Sequence, residues 1–163
     1  MKQPVVVSDS GPLIALARSG HLNLLPLVFG RIHLPESVLR ETTADSWRPG
    51  AVDIDAFVAA HVEVHADSHD GIYVEMKGLL DEGEAQALNL AEKLGCAVLI
   101  DERRGRLAAR NAGLAVVGVL GVLLQARKLG AIEKVLPIIE RMRENGYRFS
   151  DPLVQAVLQA AGE

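Results

Sequence analysis

Short apolar runs that alternate with helix-forming segments are the feature that most constrains how this chain can fold. Two of these runs, residues 4–8 and 96–100, are followed directly by an aspartate, Asp9 and Asp101. The first aspartate precedes Ser10 and Pro12, residue types that favour the start of a helix. Strands that alternate with helices are typical of parallel sheets covered by helices. The sequence therefore predicts an α/β fold, a three-layer sandwich whose mainly parallel central sheet has four to five strands flanked by helices.

The remaining elements follow from the periodicity of apolar residues and from the glycines and prolines between them. Further strands are predicted at residues 31–34, 61–65 and 114–117. Helices are predicted near residues 13–20, 22–29, 36–43, 52–60, 84–94, 103–111, 118–129, 132–144 and 151–161. No repeat or linker is evident, and 163 residues fit one domain. We therefore expect a single domain over residues 1–163, with residues 131–163 forming C-terminal helices that pack on the core or at a homodimer interface.

Composition excludes several classes of protein. Apolar residues make up 49% of the chain, which is enough for a sizeable core. The longest apolar stretch, residues 114–124, is shorter than the ~20 residues of a membrane span, so no membrane association is expected. A single cysteine excludes an internal disulfide and a cysteine-rich zinc site. The beginning of the chain does not resemble a secretory leader, so we expect a cytoplasmic protein.

The net charge of −4, from 17 basic and 21 acidic residues, argues against a broad positive surface for nucleic acid. Aromatic residues make up only 4% of the chain, which argues against a platform for stacked bases. Any chemistry on nucleic acid must therefore take place in a local site.

Carboxylates are the candidates for such a site. In parallel α/β sheets, ligands bind beyond the carboxyl ends of the strands, where Asp9 and Asp101 are predicted to lie. Glu41 and Glu84 are near predicted helix ends that can face the same edge. Each acid could instead cap a helix, but converging carboxylates repel each other by about 4 kcal/mol at ~4 Å and an effective dielectric constant of ~20. A cluster of this kind needs protons or a cation, and Mg²⁺ and Mn²⁺ prefer oxygen ligands.

Four segments resemble, in order, the motifs of PIN domains, and most closely the branch related to VapC-type toxins. They are residues 6–14 (VVSDSGPLI), 34–41 (LPESVLRE), 83–88 (GEAQAL) and 100–106 (IDERRGR), and residues 117–124 (VGVLGVLL) are similar to a further stretch of that branch. The resemblance covers nearly the whole chain. It implies a metal-dependent endoribonuclease with RNA as substrate, and often a small antitoxin protein as partner.

The same resemblance implies the catalytic and metal-binding acids. By position in the motifs they are Asp9, Glu41, Glu84 and Asp101, with Mg²⁺ or Mn²⁺ as cofactor. The third acid is glutamate where the wider family more often has aspartate. The fourth is followed by a second acid, Glu102, so either member of this pair is a candidate ligand.

Neighbouring polar residues are candidates for supporting roles. Ser10 either holds a metal-bound water or substrate phosphate, or caps the helix that follows it. Arg103, Arg104 and Arg106 follow the acidic pair and either contact substrate phosphate or lie on a solvated helix surface.

The histidines suggest a second type of metal site, which the pattern does not favour. His61, His65 and His69 have a spacing of four, but the alternation in residues 61–65 favours a strand on which His61, Glu63 and His65 share the solvent face. We therefore expect a polar sheet face there. His33 has no evident partner in the sequence.

Two other functions and one other motif remain open. A haloacid-dehalogenase-type phosphatase also has an aspartate after its first strand, but this chain has Gly11 where a second acid or threonine is required. A non-catalytic PIN-like scaffold that binds protein or RNA is consistent with the net negative charge. Gly118 and Gly121 do not fit a phosphate-binding fingerprint, so they predict close helix packing instead.

Overall fold

A five-stranded parallel sheet forms the centre of the protein, in a computed structural model that describes residues 4–163. Its strands occur in the order β3-β2-β1-β4-β5. They are β1 (Val5–Ser8), β2 (Arg31–Pro35), β3 (Val62–His65), β4 (Ala97–Leu99) and β5 (Val116–Val117). The predicted α/β fold with a parallel sheet flanked by helices is confirmed.

The strand order reverses beside β1, which positions the predicted site. Strand β1 pairs with β2 on one side and with β4 on the other, and Ser8 lies opposite Leu99. The backbone N–H of Asp9 donates to the carbonyl of Leu99 at 2.9 Å. Asp9 therefore follows the carboxyl end of β1 and lies next to the end of β4. Asp101 comes two residues after that end of β4. This is the reversal point at which open α/β sheets bind ligands.

Ten helices connect and cover the strands in the described part of the chain. They are α1 (Ser10–Arg18), α2 (Leu24–Val28), α3 (Glu36–Thr43), α4 (Ala51–His61), α5 (Tyr73–Met76), α6 (Glu82–Leu94), α7 (Arg103–Asn111), α8 (Val119–Lys128), α9 (Leu136–Glu144) and α10 (Asp151–Ala161). None of them is long and apolar enough to cross a membrane.

Two hydrophobic cores lie on opposite faces of the sheet. Successive strand residues point to opposite faces, so Val6 enters one core and Val7 the other. The larger core contains buried side chains of α1, α2, α4, α8 and α9, and also Val154 and Val157 of α10. The smaller core lies between the sheet and α5, α6 and α7. The two cores hold the central strands, and hence the strand ends, from both sides.

Three elements differ from the sequence-based expectation. His61 is the last residue of α4 and does not belong to β3; its ring lies 5.2 Å from that of Phe57, one helical turn earlier. The short helix α5 had no predicted counterpart, because four residues carry too little periodicity to be recognised. Helix α9 begins at Leu136, next to Pro137, rather than near residue 132.

We expect Leu123→Ala in α8 to lower the free energy of unfolding by about 2–5 kcal/mol, because this side chain is fully buried in the larger core. Leu107→Ala in α7 is the matched control, since Leu107 is 59% exposed, and it should change the value by less than about 0.5 kcal/mol. Urea denaturation followed by circular dichroism measures both. Equal effects of the two substitutions would contradict this assignment of the core.

Candidate active site

Asp9 lies buried at the end of β1 and does not cap the helix that follows. It occupies the N-cap position of α1, but its side chain makes no capping hydrogen bond. The residue is only 6% exposed, and its Oδ1 atom is buried without a hydrogen-bond partner. A buried, unpartnered carboxylate oxygen is costly, so such an atom is typical of a ligand-binding site.

Glu84 has one oxygen in a structural bond and one that is free. At the start of α6, the backbone N–H of Glu84 donates to Asp81 Oδ1 at 2.8 Å, and Asp81 N–H donates to Glu84 Oε1 at 3.3 Å. This reciprocal pair is a capping box, which fixes the direction of the Glu84 side chain. The other oxygen, Oε2, is buried and unpartnered.

Glu41 reaches the same region from the more exposed helix α3. A Cβ atom placed on Gly83 would lie 2.6 Å from Glu41 Oε2 and 3.7 Å from Asp81 Oδ1. Glycine at this position of α6 therefore leaves the space that the Glu41 carboxylate occupies. Ser10 is the first residue of α1 and not its N-cap, and its side chain lowers the pKa of Glu41.

Asp101 is held by protein partners on both oxygens. The Tyr147 hydroxyl donates to Oδ2, and the backbone N–H of Val119 at the start of α8 lies 3.2 Å from each oxygen. The guanidinium of Arg106 lies 3.6 Å from Oδ1. A Cβ atom on Gly118 would lie 2.5 Å from Oδ1, so Gly118 makes room for Asp101 rather than for a neighbouring helix as the sequence suggested.

Glu102 lies between two cavities that together include most of the acids. It caps α7, accepting from the backbone N–H of Gly105 at 2.7 Å. One cavity, of about 470 Å³, is lined by Gly78, Leu79, Leu80, Asp81, Glu84, Glu102 and Arg104. The other, of about 320 Å³, is lined by Asp9, Gly11, Pro12, Asp101, Glu102, Tyr147 and Arg148.

The carboxyl groups raise one another's pKa values. Burial is the main cause that raises the pKa of Asp9 to about 7, and the negative charges of Asp81, Glu41 and Glu102 add to it. Burial, together with Asp81 and Asp9, also raises the pKa of Glu84 well above its usual range. The metal-free site therefore retains protons at neutral pH, where exposed carboxyl groups have none.

The outer acids are affected differently. Burial and Asp81 raise the pKa of Glu41, and the hydrogen bond with Ser10 moderates the rise. Burial also raises the pKa of Asp101, despite its bonds with Tyr147 and Val119. For Glu102, backbone hydrogen bonds outweigh burial and lower the pKa. A proton is therefore held most strongly by the inner pair, Asp9 and Glu84.

The structure brings the predicted acids to one edge of the sheet, but their carboxylate oxygens do not converge on one position. Asp9, Glu41, Glu84 and Glu102 influence one another electrostatically, whereas Asp101 lines the cavity of Asp9 but is bonded to the start of α8. Among residues 4–163, the group whose three ligand atoms all lie within 4.8 Å of one another is instead His33, Glu63 and His65. His33, for which the sequence showed no partner, is thus in contact with His65.

The predicted arginines have different surroundings. Arg106 contacts Asp101, and Arg104 lines the Glu84 cavity and donates to the carbonyl of Leu79 at 2.9 Å. Arg103 is exposed at the start of α7. Only Arg104, of these three, lines a cavity that contains the unpartnered carboxylates.

Three residues of the site were not found from the sequence. Asp81 had a recognisable signal, because Asp81 and Glu84 have the spacing of a capping box in front of an apolar helix. Tyr147 and Arg148 lie in the loop between α9 and α10, far along the chain from the other site residues. No local pattern marks them, because only the packing of the C-terminal helices brings this loop to the sheet edge.

The fold and the site together define a class of protein: a parallel α/β domain with buried, unpartnered carboxylates at the point where the strand order reverses. A sequence model of the PIN-domain family DUF3368 matches residues 5–163. The chain belongs to the PIN-domain family, whose members are commonly nucleases and typically depend on divalent metal ions.

A solved structure with a TM-score above 0.5 agrees with the fold. The chain is similar to a PilT N-terminus domain protein from the hyperthermophilic archaeon Sulfolobus solfataricus P2, with 16% identity, a TM-score of 0.55, and coverage of 75% of this chain and 92% of that chain. It is also similar to a domain of a functionally unknown protein from Methanocaldococcus jannaschii DSM 2661, with 16% identity, a TM-score of 0.46, and coverage of 71% and 90%. No curated protein matches the sequence significantly.

We expect Asp9→Asn to stabilise the metal-free protein more at pH 8 than at pH 5. A carboxyl group whose pKa is raised on folding, here from 3.8 to about 7, favours the folded state most at low pH, and this contribution is lost as the pH rises through about 7. Removing the charge should raise the free energy of unfolding at pH 8 by about 1–3 kcal/mol relative to pH 5. Denaturation in the presence of a chelator measures the difference.

Asp55→Asn is the control, because Asp55 is an exposed acid on α4, away from the site. It should shift the unfolding free energy by less than about 0.5 kcal/mol at either pH. If the unfolding free energy of Asp9→Asn depends on pH as that of the wild type does, the conclusion that Asp9 is a buried and repelled charge is wrong.

Proposed function

We propose that this protein is an Mg²⁺- or Mn²⁺-dependent endoribonuclease that hydrolyses phosphodiester bonds of RNA. The observation that carries the proposal is the pair of buried carboxylate oxygens, Asp9 Oδ1 and Glu84 Oε2, that have no hydrogen-bond partner among residues 4–163. Both line adjoining cavities at the sheet edge. An oxygen-only donor set fits a hard divalent cation better than a transition metal that prefers nitrogen or sulfur.

The proposed metal ligands are Asp9, Glu84, Glu41 and Asp101, with Glu102 as a fifth candidate. Asp9 and Glu84 are the best supported, because each has an oxygen that no hydrogen bond satisfies. Both oxygens of Asp101 already accept hydrogen bonds, so Asp101 is better suited to positioning other ligands than to binding the metal directly. Glu102, which lines the cavities, is then favoured as a direct ligand. A bound cation would lower the pKa of a coordinated water and offset charge on the phosphoryl oxygens.

The remaining residues of the site have proposed roles in binding substrate. Ser10 orients Glu41 through its hydrogen bond. Arg104 and Arg148 line the two cavities and are placed to contact phosphate oxygens, with Arg103 on the adjoining exposed surface. Arg106 instead positions Asp101. This local positive charge offsets the net charge of −4, which by itself disfavours RNA.

The biological setting follows from the resemblance to VapC-type toxins. We propose that the protein acts in the cytoplasm as the toxin of a two-protein module, with a small antitoxin as partner, and that it forms a homodimer. The exposed Trp47 and Val52, 79% and 65% exposed, are apolar side chains available for protein contacts. Light scattering of the purified protein alone tests the homodimer. Light scattering after co-expression with the neighbouring gene product tests the antitoxin partner.

We expect Asp9→Asn and Glu84→Gln each to reduce metal-dependent RNA cleavage by at least about 100-fold, because each replaces an ionisable oxygen ligand by a neutral amide. The assay follows a labelled single-stranded RNA with Mg²⁺ or Mn²⁺ and with a chelator. Asp55→Asn should cleave at the wild-type rate. Full activity of Asp9→Asn, or activity in the chelator, would exclude this mechanism, and binding of RNA without cleavage would favour a non-catalytic scaffold.

We also expect the affinity for Mg²⁺ to rise between pH 6 and pH 8.5. Protons and the cation compete for the same carboxylates, and the pKa of Asp9 of about 7 lies within this range. Calorimetry in buffers of different ionisation enthalpy should show protons released on binding near pH 7. Affinity that is independent of pH would place the cation away from Asp9 and Glu84.

A further inference from the structure

Two histidines and a glutamate meet on one face of the sheet, at strands β2 and β3. The register pairs His33 with Glu63 and Pro35 with His65, so the side chains of His33, Glu63 and His65 share a face. His33 Nδ1 lies 2.8 Å from His65 Nε2. The two oxygens of the Glu63 carboxylate face different rings: Oε2 lies 3.6 Å from His33 Nδ1, and Oε1 lies 3.9 Å from His65 Nε2.

These separations match those of ligand atoms around one small cation. In a tetrahedral site with metal–ligand distances of about 2.0–2.1 Å, neighbouring ligand atoms are ~3.3 Å apart. The three observed separations range from slightly below to slightly above that value. All three donors come from adjacent paired strands, so their backbone positions are fixed by the sheet.

The burial of the three side chains is graded from inside to outside. The side chain of His33 is 6% exposed, that of His65 is 25% exposed, and that of Glu63 is 63% exposed. Two imidazole nitrogens therefore close the inner side of the group, and the carboxylate and solvent are on the outer side. Such a group has three protein ligands and an open position for water.

We propose that His33 Nδ1, His65 Nε2 and the Glu63 carboxylate form a binding site for a borderline divalent cation, with Zn²⁺ as the reference ion. Two imidazoles and a carboxylate suit Zn²⁺, whereas Mg²⁺ prefers oxygen ligands and keeps its water. The site is on β2 and β3, and none of its three residues lines the two cavities that contain the acids beyond β1 and β4.

The alternative explanation is a simple hydrogen bond between two neutral imidazoles. Such a bond accounts for the distance between the two nitrogens. It does not explain why the Glu63 carboxylate lies within 4 Å of both ring nitrogens. A neutral imidazole is also the form that binds a metal.

A bound ion would stabilise the pairing of the edge strand with its neighbour. Strand β3 is the outermost strand on its side and pairs with β2 alone. A cation held by one residue of β2 and two of β3 would join these strands through their side chains. Since it would bind the folded protein only, Zn²⁺ should raise the melting temperature.

The test is a titration of the full chain with Zn²⁺ by calorimetry, in excess Mg²⁺ to occupy the acidic site. We expect one equivalent of Zn²⁺ to bind, with His65→Ala and Glu63→Gln each weakening binding at least about 10-fold. His61→Ala and His69→Ala are matched controls outside the proposed ligand set and should bind as the wild type does. The ring signals of His33 and His65 should shift together in NMR spectra, and those of His61 and His69 should not.

Three results would overturn the proposal. Zinc binding that survives both His65→Ala and Glu63→Gln in folded variants would place the ion elsewhere, and loss of binding only in Asp9→Asn would place it at the acidic site. Failure of wild type to bind Zn²⁺ leaves the hydrogen-bonded imidazole pair as the explanation. None of these measurements uses RNA cleavage, so the proposal and the proposed nuclease activity stand or fall separately.

Discussion

Repulsion between carboxyl groups held together at the reversal point of the sheet is the constraint on which the rest of the site depends. Asp9 is buried at the end of a strand that has neighbours on both sides, so its backbone cannot move away from the other acids. Burial is the main cause of the raised pKa of Asp9, and the repulsion from Asp81, Glu41 and Glu102 raises it further. A divalent cation would relieve the same repulsion, so carboxyl groups that oppose folding in the metal-free state would favour binding of the cation.

The surrounding hydrogen bonds separate acids with a structural role from acids available to a ligand. Asp101 and Glu102 accept backbone hydrogen bonds at the starts of α8 and α7, so helix N-termini stabilise their negative charge. Glu84 combines both roles, because one oxygen belongs to a capping box and the other is unpartnered. Asp9 has neither a capping bond nor a partner for Oδ1. The capped acids are fixed by backbone hydrogen bonds, and the uncapped oxygens are the ones that the proposed cation would bind.

The sequence predicted what local patterns determine. Apolar runs that end in Asp9 and Asp101 indicated the parallel sheet and the edge on which the site lies, and the spacing of the motifs indicated Glu41 and Glu84. Contacts that depend on strand register or on the return of the C-terminal helices were not predictable, because no local pattern encodes them. Tyr147 reaches Asp101 only after α9 and α10 have packed. Likewise, the contact of His33 with His65 requires the pairing of two strands that are about thirty residues apart.

The two groups of ligands on this sheet differ in chemistry, and this difference determines whether two ions compete. The acids beyond β1 and β4 offer oxygen alone, in a region where negative charges raise one another's pKa values. His33 and His65 offer neutral nitrogen, next to the single carboxylate of Glu63. A hard cation binds most tightly where several negative charges need compensation, and a borderline cation binds most tightly to imidazole nitrogen. If both proposed sites bind their ions, selection by donor type and by local charge would allow Mg²⁺ and Zn²⁺ to occupy one sheet without displacing each other.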